Sequence, residues 1–254
     1  MAQMKKLDTT ILEAVNHIVQ DHPSLALQIR EIADIAYGKN RGEQKYFGLN
    51  ELDKKLEKWL CYDNGFFVEL GANNGIDQSN TQYFEKYRNW KGILVEPIPH
   101  NYLSCRKYRS QKTSIYCNAC VSFDYSDRFV EIAYSNLMST PLGLESDIAS
   151  PTAHAEDGRR FLSPTDNVFV FGALAVPLNK LLIKSNAPTV IDLLSLDVEG
   201  AEIEVLKGVD HEAFRFKYMC IESRRFDKTE RYLRNIGYNF IEKLSAQDYL
   251  FSGL

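Results

Sequence analysis

The chain has 254 residues, 44% of them hydrophobic, which supplies a substantial core and excludes a disordered or fibrous protein. Its 30 Lys and Arg against 34 Asp and Glu leave a formal charge of −4, without the basic surplus that grips a phosphate backbone. A main role in nucleic-acid binding is therefore not expected.

No apolar run approaches a membrane span. The opening MAQMKKLDTTILEAVNHIVQ is interrupted by Asp8, Glu13, Asn16 and His17, unlike a signal peptide, and a soluble, cytoplasmic protein is expected. Five cysteines, an odd number, suit reduced thiols better than a disulfide framework. Cys117 and Cys120 form a lone CxxC with no second pair to complete a zinc site, so both read as packing residues.

In chain order, apolar spacing between Thr9 and Tyr37 predicts two helices broken at DHPS, where Pro23 opens the second. GLNELDKKLEKWLC then reads as a third helix, with Asn50 as its cap and Leu52, Leu56, Trp59 and Leu60 on one face. Residues 1–62 are expected to form an N-terminal helical extension, and 63–254 the main domain.

Beyond YDNG, short apolar runs alternate with helical stretches. Strands are predicted over Phe66–Leu70, Gly92–Glu96, Ser114–Val121, Val190–Asp197, Tyr218–Glu222 and Asn239–Lys243. Helices are predicted over Thr81–Tyr87, His100–Tyr108, Ala201–Lys207 and Lys228–Ile236. This rhythm predicts an α/β domain built on a mostly parallel sheet. Residues 135–167, rich in Ser, Pro, Thr and Asp, break it and read as a long loop facing the substrate.

The first strand ends in ELGANNG, a loop with little bulk between Gly71 and Gly75. Asn stands where a dinucleotide fingerprint carries its middle Gly, which argues against NAD or FAD. Glu96 closes the next run, GILVEP, where an acid can accept hydrogen bonds from the two hydroxyls of an adenosine ribose. Loop and acid together fit an adenosine without a diphosphate.

These features resemble the motifs of S-adenosylmethionine-dependent methyltransferases. The later stretch IDLLSLDVEGAEIEVLKGVD, together with GILVEPIP and CNACVS, is similar to the signature of the FkbM-type family. The resemblance extends from about Phe66 to Glu222 and implies a Rossmann-like fold of the class I methyltransferase type. It implies that Glu69, Gly71, Ala72, Asn73, Asn74 and Gly75 surround the methionine part of the cofactor. Glu96 would hold the ribose with Pro97 and Ile98 beside it, Asn118 and Ala119 would border the adenine, and Asp197 and Glu199 would face the methyl group. Two departures stand out: Glu69 replaces the family's frequent Asp, and the stretch from Asp124 to Asn167 aligns with nothing.

The resemblance also implies a small-molecule or glycan acceptor: a hydroxyl of a sugar, glycolipid or secondary metabolite. Such a hydroxyl needs a base or a metal ion to take its proton. The candidate bases are Asp197, at the carboxyl edge of the sheet, Glu222 in CIESRR, and His154 in the long segment. Magnesium held by Asp197, Glu222 and another acid is conceivable, although no tight ligand motif marks such a site. N-methylation of an amine and a non-catalytic adenosine-binding scaffold are the alternatives.

Overall fold

The run FFVEL contains no turn former and sends alternate side chains into two apolar environments, so it forms a strand buried on both faces. In the computed structural model, which describes residues 45–163 and 166–253, this strand is β1 (Phe66–Leu70). It lies inside a seven-stranded sheet with β2 (Lys91–Val95), β3 (Ser114–Tyr116), β8 (Val190–Leu196), β9 (Arg215–Glu222), β10 (Asn239–Lys243) and β11 (Asp248–Ser252). The order is β10-β11-β9-β8-β1-β2-β3, and β11 alone runs against the rest.

Helices cover both faces. On one side α1 (Leu52–Leu56), α2 (Gln82–Arg88) and α3 (Pro99–Tyr108) place Leu56, Phe84 and Cys105 against Phe67, Leu94 and Leu193. Leu178 and Leu182 of α5 (Leu178–Lys184), Val205 of α6 (Glu202–Leu206) and Leu233 of α7 (Phe226–Asn235) meet Val68, Ile93 and Leu194 on the other. The chain leaves β1 towards β2 and β3, then returns to β8 on β1's other side. Ligands bind at such a reversal, beyond the carboxyl ends of the strands.

Between β3 and β8 the chain builds a second sheet, in the order β4-β7-β5-β6, from β4 (Ala119–Cys120), β5 (Phe129–Tyr134), β6 (Thr140–Pro141) and β7 (Phe169–Val176). The strand predicted over Ser114–Val121 is therefore two strands in two sheets, with Cys117 and Asn118 at the break. The segment read as a loop holds β6, helix α4 (Pro151–Asp157) and 3-10 turns at Asn136–Met138 and Gly158–Phe161.

The third predicted helix is shorter than expected, with a 3-10 turn at Leu49–Glu51 preceding the five-residue α1. Asn50 does not cap it, having a left-handed φ of 54° inside that turn. Buried Asp53 organises the bend instead, accepting from the Phe47 amide at 2.6 Å. The two helices predicted between Thr9 and Tyr37 lie outside the described residues. From Tyr46 onwards the described chain is one compact unit. All five cysteines are free thiols, and Cys120 packs in the core.

Candidate active site

The ends of β1, β2 and β8 meet at the topological switch. Gly71 follows β1 with φ +77°, and a Cβ there would lie 1.8 Å from the Asp197 carbonyl oxygen. The missing side chain lets the two strand ends touch, and the Asp197 amide donates to the Leu70 carbonyl at 3.3 Å. Gly75 serves packing of another kind: a Cβ on it would press on Cys105 of α3 at 3.1 Å.

Glu96 stands at the end of β2 and is only 3% exposed. Its carboxylate accepts from the Asn73 amide at 2.8 Å and the Ile98 amide at 2.9 Å. One acid thus ties the β1 loop to the start of α3. Burial raises its pKa to about 7, opposed by bonds from Ile98, Asn73 and the Asn101 side chain.

The first sheet's second acid has a different job. Both oxygens of Glu69 are taken up by protein donors, accepting from Ser79 Oγ at 2.9 Å, the Asn80 amide at 2.8 Å and Thr81 Oγ1 at 2.6 Å. Arg109, buried at the end of α3, spans Glu69, Glu85, the Gly75 carbonyl and Thr81. This network shapes the loop from beneath. Sequence reasoning passed over Arg109 because its partners lie 24 to 40 positions away.

At the end of β8 the chain turns through Asp197-Val198-Glu199-Gly200, with Glu199 at φ +54° and Gly200 at φ +101°. Glu202, buried in α6, closes the turn by accepting from the Val198 and Gly200 amides, both at 3.1 Å. Carboxylate oxygens of Asp197, Glu202 and Glu222 all lie within 4.8 Å of one another. Among the described residues this is the group that could share a divalent cation.

Asp197 is exposed on the cleft lining, although the concave walls around it thin its hydration. Desolvation raises its pKa to about 8, reinforced by the charges of Glu199 and Glu202 and opposed by a hydrogen bond with Glu222. Glu222 is raised to about 9, again by desolvation first and then by its acidic neighbours. The hydrogen bond between them favours the charged form of Asp197 and the neutral form of Glu222.

His154, on α4, lies outside the cleft lining and bonds to Glu199 Oε2 at 2.8 Å. Arg224 donates to Glu199 and to Glu222, each at 2.8 Å. Asp147 accepts from the Arg224 amide at 2.7 Å, and its own amide donates to the Gly200 carbonyl at 2.9 Å. The inserted segment is thereby fastened to the turn that carries Asp197.

Of the sequence-predicted residues, Gly71, Ala72, Asn73, Glu96, Pro97 and Ile98 line one continuous cleft. Asn118, Ala119, Asp197, Glu199 and Glu222 line it too, while Glu69, Asn74, Gly75 and His154 support it from outside. Leu137, Pro141 and Leu144 of the insertion complete the wall, as do Leu49 and Leu52 near α1.

A doubly wound sheet with one reversed strand, and a cleft at its switch point flanked by the acids ending β2 and β8, defines a Rossmann-like fold of the class I methyltransferase type. Residues 69–240 match the Methyltransferase FkbM domain. The chain belongs to this family and is an S-adenosylmethionine-dependent methyltransferase.

Solved structures are similar in fold at low identity. A precorrin-6y C5,15-methyltransferase from Geobacter metallireducens is 10% identical, with a TM-score of 0.40 and coverage of 79% of this chain and 85% of that one. Human methyltransferase 10 domain containing protein is 10% identical, with a TM-score of 0.41 and coverages of 80% and 82%. A methyltransferase from Thiobacillus denitrificans in complex with S-adenosylhomocysteine is 8% identical, with a TM-score of 0.33 and coverages of 83% and 72%. No curated protein matches the chain. Among the described residues no helix is long and apolar enough to cross a membrane.

Proposed function

We propose that the protein methylates a hydroxyl group, with Asp197 as general base. The observation that carries this reading is the Asp197–Glu222 pair on the cleft lining, whose carboxylate oxygens lie within 4.8 Å of each other. The cleft suits the cofactor: Glu96 keeps acceptor capacity for a ribose beyond its two backbone bonds. No Lys, Arg or His occurs among the described lining residues, as befits a nucleoside without phosphates.

S-adenosylmethionine supplies an activated methyl group on a sulfonium. In this reading Glu96 holds the ribose hydroxyls, Asn118 and Ala119 border the adenine, and Gly71 to Asn73 accommodate the amino-acid part. A cation near Asp197 favours its ionised form, so a carboxyl poised above neutrality becomes an effective base once the site is filled. A hydroxyl lying in line with that methyl would pass its proton to Asp197 as its oxygen takes the methyl and the sulfonium leaves as a thioether, with Glu222 beside Asp197. A sugar, glycolipid or secondary-metabolite hydroxyl would fit this chemistry.

The test follows labelled methyl from the cofactor into an acceptor panel, with the product bond identified by mass spectrometry. Label is expected on oxygen. Asp197→Asn should slow transfer about 100-fold or more while leaving the affinity for S-adenosylhomocysteine within about threefold. Label on nitrogen, or normal turnover by Asp197→Asn, would contradict the assignment.

A further inference from the structure

We propose that the protein pairs with a second copy of itself along β7, antiparallel and two-fold, joining the two small sheets into one. This is independent of the hydroxyl-methylation reading, since no residue of β7 lines the cleft. β7 runs for eight residues, Phe169–Val176, as FVFGALAV. On one side β5 pairs with it from Phe169 to Leu174, whereas on the other β4 pairs only with Ala175 and Val176. Most of that second edge is open.

Successive residues of a strand turn their main-chain groups to alternate sides. The Ala175 amide donates to the Arg128 carbonyl on the β5 side at 3.0 Å. On the β4 side the Val176 carbonyl accepts from the Val121 amide and the Leu174 carbonyl from Asn118 Nδ2, both at 3.1 Å. Gly172 and Val170 therefore direct their N–H and C=O groups to the open edge, where among the described residues nothing bonds them. The edges of the larger sheet are guarded by contrast: β10 carries Glu242, Lys243 and a bulge, and β3 is three residues long. Such devices keep edges from pairing. The β5–β7 ladder has no bulge, and β7 has no charge and no proline.

The strand that fits this edge is β7 itself. Antiparallel pairing about Phe171 sets Val170 of each copy opposite Gly172 of the other, each pair exchanging both its bonds, about four in all. Large residues then meet small ones: Val170 faces Gly172 and Phe169 faces Ala173, while the two Phe171 rings meet across the axis. Phe129 already covers Gly172, where a Cβ would lie 3.5 Å from it, so the incoming Val170 packs beside that ring. Two chains of formal charge −4 meet along an uncharged strand, with no like charges opposed. Phe129, Phe169, Val170 and Leu174, each about half exposed, offer on the order of 300–400 Å² of apolar surface per copy. With the main-chain edge this approaches the roughly 600 Å² per partner at the lower end of specific interfaces.

Because β5 and β6 carry Ile132 and Pro141 into the cleft wall, pairing through β7 braces that wall. The experiment is sedimentation equilibrium of the full chain at tens of micromolar, where a species of twice the 29.1 kDa chain mass is expected. Val170→Pro deletes one outward N–H and spares the β5 ladder. Should it fail to fold, Val170→Lys puts a charge on the same edge. Either change should weaken the dimer about tenfold or more and leave the affinity for S-adenosylhomocysteine unchanged. Leu103→Lys, at an exposed leucine of α3, should leave the dimer intact. The Gly172 amide should exchange its hydrogen more slowly in the wild-type dimer than in the Val170→Lys monomer.

A wild-type monomer at these concentrations overturns the proposal. So does a dimer that survives a folded Val170 variant, or one whose Gly172 amide exchanges as fast as in the monomer.

Discussion

Asp197, Glu202 and Glu222 share one small volume, and closely placed carboxylates cannot all ionise cheaply. Desolvation, first, and the neighbouring acids raise the pKa of each: Asp197 and Glu202 to about 8 and Glu222 to about 9. An unfolded chain releases these protons near pH 4, so between that pH and about 9 the folded state binds more protons than the unfolded one. Stability from this cluster is fully present below the unfolded values and is lost as pH rises through the folded ones. The urea midpoint should fall from pH 5 to 9, and Glu222→Gln should flatten the fall. A midpoint independent of pH in this window, or an unchanged slope in the variant, would contradict the coupling.

The sequence made Glu96 and Asp197 visible because each ends an apolar run at a predictable edge of the sheet. Glu202 went unassigned although it sits in the quoted GAEIE stretch, since nothing local shows that its carboxylate folds back onto two amides of the preceding turn. Glu69 was read as a cofactor neighbour by resemblance. Its oxygens bond Ser79, Asn80 and Thr81, partners that a strand-end position does not disclose.

Among the elements, β1 and β10 fall on their predicted residues, and α2, α3, α6 and α7 lie within a residue or two. Apart from the largely exposed β10, these are apolar runs or helical faces packed on one sheet, where local periodicity reports burial directly. The inserted β5 and β7 escaped notice because the small sheet leaves much of one face open. Phe129, Val170 and Leu174 are exposed, which blurs the inside-outside alternation. Their partners are also distant, with Phe129 paired to Leu174.

Arg109 joins α3 to the β1 loop and to α2, and its guanidinium neutralises buried Glu69 and Glu85. Arg109→Met would strand two buried carboxylates and should cost about 3–5 kcal/mol of stability, measured by urea unfolding. Unchanged stability would show that this network does not hold the loop.

At the scale of the molecule, a twisted sheet brings the end of β1 against the ends of β2 and β8, and bare Gly71 allows the contact. The insertion closes one side of the resulting cleft and is fastened to the Asp197 turn by the Asp147 amide on the Gly200 carbonyl and by His154 on Glu199. In the proposed function, cofactor and acceptor meet between the sheet and this insertion.

The central claim is that this cleft binds the cofactor through Glu96, and calorimetric titration with S-adenosylhomocysteine tests it most directly. Micromolar binding is expected, weakened by about 10- to 100-fold in Glu96→Ala, the loss of charge-assisted hydrogen bonds worth about 1.5–3 kcal/mol. No binding by the wild-type chain, or equal binding by a folded Glu96→Ala variant, would contradict the account.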